Sequence, residues 1–201
     1  LLRMRGAIPE ATELLERAVA AEPDDAVALA SLAAARSDNG DVRGALSAVE
    51  RALEIEPDYP FALRLRGRLR HQMGDFGDAM ESFDHAIGLD DTEGGAHVDR
   101  ARCLNALGQS EEALKTVEDV LWRFPSSRPD ALAAKAEILA AKGHHDEAIQ
   151  TALAAIQLAP EYGPPQMVLT QTLAAIADFE RALAETETAL EAAPGSPWLL
   201  T

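Results

Sequence analysis

Apolar residues recur along this chain at three- and four-residue intervals, drawing short helical stripes that break on a fixed beat. Val27, Leu29, Ala30, Leu32 and Ala33 mark one stripe, and Val42, Ala45, Leu46, Val49, Ala52 and Leu53 mark the next. Between them Asn39-Gly40-Asp41 stops the first helix, because Gly and Asn accept the left-handed conformation that ends one. Glu56-Pro57-Asp58 closes the second, since proline cannot extend the hydrogen-bond ladder. The pattern predicts a unit of helix, short turn, helix and longer turn over residues 26–59.

The same unit recurs at 60–93, 94–127, 129–162 and 163–196. Pro23, Pro57, Asp91, Pro125, Pro160 and Pro194 stand 34 or 35 residues apart. Ala11, Ala45, Ala79, Ala113, Ala148 and Ala182 keep that beat, as do Gly6, Gly40, Gly74, Gly108 and Gly143, with Ala177 in the last glycine slot. Such self-similarity is the mark of a stacked array, in which each unit buries its apolar faces against its neighbours. The one extra residue, near Ser127-Arg128-Pro129, belongs in a loop. A lone second helix is expected from about Pro9 to Ala21, within a partial unit at 1–25, and Pro197-Trp198-Leu199-Leu200 reads as the first turn of another. The expectation is eleven helices in a single array over 1–201, with no linker, cut from a longer parent chain.

These residues resemble the tetratricopeptide repeat family, whose pattern is W-x2-L-G-x2-Y, then A-x3-F, then P, over 34 residues. The unit at 60–93 matches best, with Leu63, Gly67, Gly74, Phe76, Ala79, Phe83 and Ala86. The departures lie at the large rings. The Trp place holds Leu29, Leu63, His97, Leu132 and Gln166, and the Tyr place holds Arg36, Arg70, Leu104, Leu139 and Leu173. Gaps left by missing rings must be closed by tighter approach or by long aliphatic stems. The last unit departs furthest, with Ala177 for Gly and Thr186 for the large apolar residue. The resemblance implies an all-α solenoid, a right-handed superhelix of stacked antiparallel helix pairs. It also implies that the first helices line a concave groove where ligands lie.

On that resemblance the groove receives Val27, Ala30 and Ala34; Phe61, Arg64, Arg68 and His71; Val98, Arg102 and Asn105; Asp130, Ala133 and Glu137; and Met167, Gln171 and Ala174. Charge makes the list uneven. The chain carries 34 acidic and 18 basic residues, for a net charge of −16, yet Arg64, Arg66, Arg68, Arg70, Arg100 and Arg102 crowd two neighbouring helices. Arg64 and Arg68, four apart, share a helix face. A basic patch within an acidic protein suits carboxylate or phosphate, which guanidinium groups bind in bidentate fashion. The candidate peptide-binding residues are Phe61, Arg64, Arg68, His71, Arg102 and Asn105. The competing reading pairs Arg64, Arg68 and Arg102 with the protein's own acids, such as Asp99 or Glu137, and uses Arg66 and Arg100 structurally.

A known use of the family is a clamp for acidic chaperone tails, built from Lys, Asn and Arg on three consecutive first helices. That clamp is not reproduced, because Asp99, Asp130 and Ala134 hold its remaining places and the two acids would repel a carboxylate. The uncharged stretch from Gly163 to Ile176 is apolar on more than one side, so a further helix covers it or it forms an apolar end to the groove.

Catalytic patterns are not found. His144-His145-Asp146 lies in a turn with no second ligand cluster, and His71, His85 and His97 are scattered. Neither a phosphate-binding glycine loop nor H-E-x-x-H occurs, and neighbouring acids such as Glu111-Glu112 suit solvated helix surface. No cofactor or enzymatic role is expected. Net charge of −16 disfavours nucleic acid and anionic membranes, and no apolar run reaches the ~20 residues of a membrane span. No signal peptide is visible. The single Cys103 suits a reducing, cytoplasmic setting, and the Ala-, Arg- and Asp-rich composition suits a bacterial origin. The expected function is a protein-interaction scaffold whose groove holds an acidic or phosphorylated peptide or a partner helix. The alternative is a spacer or oligomerisation segment of a larger protein, self-associating through its unfinished ends or recruiting substrate to an enzyme domain elsewhere.

Overall fold

The computed structural model describes residues 2–160 and 162–176, with side chains from residue 11 onward. Within them every regular element is helical. The second helix expected in 163–196 and the turn at 197–201, with Ala177, Ala182, Thr186 and Pro194, lie outside the described residues.

The chain divides after Asp91 into two compact units. The first holds α1 (Leu2–Ala21), α2 (Ala26–Asp38), α3 (Val42–Ile55), α4 (Pro60–Met73) and α5 (Phe76–Leu89). The second holds α6 (Gly94–Ala106), α7 (Ser110–Arg123), α8 (Arg128–Ala141), α9 (His145–Leu158) and α10 (Gly163–Ile176). In each unit consecutive helices pair as antiparallel hairpins, and first helices also meet one another: α2 with α4, α6 with α8, and α8 with α10.

One device closes each of the four described hairpins. Gly40, Gly74, Gly108 and Gly143 have φ of 79° to 84°, which a side chain would strain. The amide after each glycine then donates back to the Tyr-place residue: Asp41 to the Arg36 carbonyl, Asp75 to Arg70, Gln109 to Leu104 and His144 to Leu139. These bonds satisfy carbonyls that the helix end leaves without partners. The hairpins close tightly because small residues meet large ones. Ala45, Ala79, Ala113 and Ala148 are fully buried. A methyl group on Gly67 would lie 2.5 Å from the Phe83 ring, so only hydrogen fits there.

Two expectations shift. Helix α1 begins at Leu2 rather than near Pro9 and runs through Gly6. Leu2, Arg3, Met4 and Arg5 are good helix formers, and their preference carries the helix backward. The extra residue of the array enters no open loop. Pro125–Ser127 coil into a 3-10 turn and Arg128 already begins α8.

Candidate functional site

In the first unit, the candidate residues fall on one stripe of α4. Phe61, Arg64, Arg68 and His71 are spaced three and four apart, so they share a face. Phe61 is 48% exposed, with Tyr59 tilted against it at 6.0 Å between ring centroids. His71 packs on the Phe76 ring at 5.3 Å. Arg64 is half-buried and engaged within the protein. Arg68 is exposed, and no described residue pairs with it. On α2 the equivalent place to Phe61 holds Val27, also 55% exposed.

The other two α4 arginines work inside the fold. Arg66 donates from Nε to the Ser82 hydroxyl at 2.9 Å, tying α4 to α5. Arg70 reaches Glu50 on α3 at 2.7 Å and touches Asp75 and Asp78. Burial opposes the Arg70 charge, but these carboxylates, Glu50 foremost, hold its pKa above the ordinary value. Arg36, one repeat earlier, reaches Glu16 on α1 at 2.8 Å in the same way. Charged ties across the helix stack thus stand at two places where the repeat pattern has tyrosine. Sequence reasoning missed both acceptors. The signal was present, because Glu16 and Arg36 are as far apart as Glu50 and Arg70, one repeat on.

In the second unit Arg102 of α6 is surrounded. Its Nε donates to Glu137 at 2.9 Å and Nη2 to Asp130 at 2.9 Å, both on α8. Nη1 reaches Asp99 at 3.4 Å. The Tyr162 hydroxyl donates to the same Asp130 oxygen at 2.6 Å, carrying the cluster to the start of α10. Burial works against the guanidinium charge, but Glu137, Asp130 and Asp99 outweigh it and raise its pKa. Burial, then the charge of Asp130, raises that of Tyr162. One arginine thus gathers three carboxylates from α6 and α8. Asn105 is also engaged, accepting a hydrogen bond from the Ser110 hydroxyl at 2.7 Å.

The structure therefore brings Phe61, Arg64, Arg68 and His71 together on α4 and gives Arg102 and Asn105 partners of their own. Three positions assigned to the same groove, Ala30, Val98 and Ala133, are fully buried, because the first helices approach closely where their side chains are small. Cys103 is also buried, and burial, then the charge of Asp99, pushes its thiol up to about 12, which favours the protonated form at neutral pH. Among the described residues no three His, Cys, Asp or Glu side chains could hold a metal ion, and no helix is long and apolar enough to cross a membrane.

The family pattern described as the tetratricopeptide repeat matches residues 2–69, 70–138 and 129–162. The chain belongs to the tetratricopeptide repeat family. No curated protein matches it. Among solved structures, this tetratricopeptide chain is similar to TTC0263, a thermophilic protein of the same repeat class from Thermus thermophilus. The TM-score is 0.71 at 22% identity, over 86% of this chain and 93% of that one. It is also similar to PilW, a type IV pilus biogenesis factor, with TM-score 0.73 and 20% identity over 98% and 91% of the two chains. A third is YrrB, a tetratricopeptide protein with an unusual peptide-binding site, at TM-score 0.56 and 21% identity over 94% and 97%. Identities this low speak for the fold alone. Tetratricopeptide proteins are in general scaffolds that bind protein or peptide partners rather than enzymes.

Proposed function

We propose that this tetratricopeptide chain holds an acidic or phosphorylated segment of a partner protein along the α2–α4 face. The observation that carries the reading is Arg68, an exposed guanidinium with no partner among the described residues, on the same helix stripe as the exposed Phe61. Apolar contact at Phe61 and Val27 supplies buried area, and Arg68, with Arg64 beside it, supplies charge-assisted hydrogen bonds to carboxylate or phosphate. His71 bounds the stripe at its C-terminal end. Arg102 and Asn105 serve the equivalent face of the second unit by fixing its side chains in place. The peptide-binding site of YrrB supports peptide capture as a use of this fold.

Peptide display against the native protein and against Arg64→Glu/Arg68→Glu tests this, with circular dichroism on both. Acidic peptides enriched by the native protein and lost in an equally helical variant are the expected result. Equal enrichment by both would remove the α4 arginines from the site.

A further inference from the structure

Helix α1 presents to solvent a face that its successors bury. Ala11, Leu14 and Ala18 stand three and four residues apart, so they form one stripe, and all three are exposed, Leu14 to 62%. Leu15 and Val19 point the other way and pack into the core of the first unit. One repeat on, Ala45, Ala48 and Ala52 of α3 are at most 3% exposed, and so are Ala79, Ser82 and Ala86 of α5. The repeat thus builds these places for helix contact, and in α1 no described residue covers them. The face shares no residue with the α2–α4 face.

Size and charge select what covers it. Leu14 stands where α3 has Ala48 and α5 has Ser82, side chains small enough for a first helix to lie close. A leucine there holds a first helix off, so the occupant must offer a hollow between small residues. The stripe itself has that shape, with an alanine about one turn to either side of Leu14. On one flank of it Glu13 and Arg17 are exposed, a turn apart, and neither pairs with a described residue. Opposite charges so spaced are self-complementary when two copies of the helix run antiparallel, because each Glu13 then meets an Arg17.

We infer that α1 pairs with α1 of a second copy of this chain, antiparallel about a twofold axis that crosses between Leu14 and Leu15. Ala11 lies opposite the second copy's Ala18, and Glu13 meets the second copy's Arg17 on both sides of the axis. Each Leu14 fills the hollow between the other copy's alanines. Three turns of helix bury less than the roughly 1,200 Å² of a stable complex, so the dimer is weak, with Kd on the order of 0.1 mM.

Sedimentation equilibrium from roughly 10 µM to 1 mM is the test, with circular dichroism on each variant. The native protein should rise from monomer toward dimer mass, and Leu14→Glu should stay monomeric. Glu13→Arg and Arg17→Glu each set like charges across the axis and should weaken self-association about tenfold. Mixed in equal amounts, these two variants restore opposite charges at both contacts, so the mixture should associate as the native protein does. Native protein that stays monomeric throughout overturns the pairing and leaves the face to a helix of another protein. Dimers that persist in Leu14→Glu overturn it too, as does a mixture no better associated than its components.

Discussion

Arg102 on α6 donates to Glu137 on α8 at 2.9 Å, and the same guanidinium reaches Asp130 and Asp99. The guanidinium joins two first helices, and Tyr162 extends the junction to α10 through Asp130. Replacing Arg102 with Ala would take the guanidinium away from Asp99, whose side chain is 8% exposed, and from Asp130 and Glu137. Loss of one partner from a buried ion cluster costs roughly 3 kcal/mol. Chemical denaturation of Arg102→Ala should show that loss, and Arg102→Lys should recover only part of it because ammonium lacks the planar fork.

The α4 arginines divide by what they already hold. Arg68→Glu should change stability by no more than about 0.5 kcal/mol, as for an unencumbered surface site. Arg70→Ala removes the tie to Glu50 and the packing of its stem, at a cost of roughly 1 kcal/mol. Thermal melts should therefore separate the two variants, while capture of acidic peptides should fail only in Arg68→Glu.

Contact between Gly67 and Phe83 predicts an overpacked variant. The ring is 1% exposed and cannot swing aside to admit a methyl group 2.5 Å away. Gly67→Ala should lose about 1–3 kcal/mol. Adding Phe83→Leu should return part of that loss, and a double-mutant cycle by urea denaturation would measure the coupling.

Alkaline pH should weaken the second unit. The Cys103 thiol is raised from 9.0 to about 12, so above pH 9 the unfolded chain releases a proton that the folded one keeps. Stability is then fully present below pH 9 and falls as pH rises toward 12. Tyr162, raised from 10.0, acts in the same direction from pH 10 upward. Cys103→Ala should flatten the first part of that decline in melts recorded as a function of pH.

Periodicity in the sequence was sufficient for the hairpins, their glycine turns and the family. Each of those depends on neighbours within a few residues or on an apolar face that repeats. Partners were less legible. A groove-facing arginine has the same sequence signal whether its acid is Glu137 or a residue of another protein, and only geometry separates Arg102 from Arg68. Val98 and Ala133 show a related gap, since an apolar stripe gives the direction of a face but not how far the adjoining helix covers it.

The 3-10 turn at Pro125–Ser127 takes up one residue without disturbing the helix after it. The Ser127 amide closes on the Phe124 carbonyl at 3.0 Å, and α8 still turns Ala131, Ala134 and Ile138 fully inward. Inserted inside a helix, the same residue would rotate every later side chain by about 100° and carry the buried face into water. Junctions of this kind are where such a chain can be lengthened, cut or spliced while each hairpin keeps its own solution to packing.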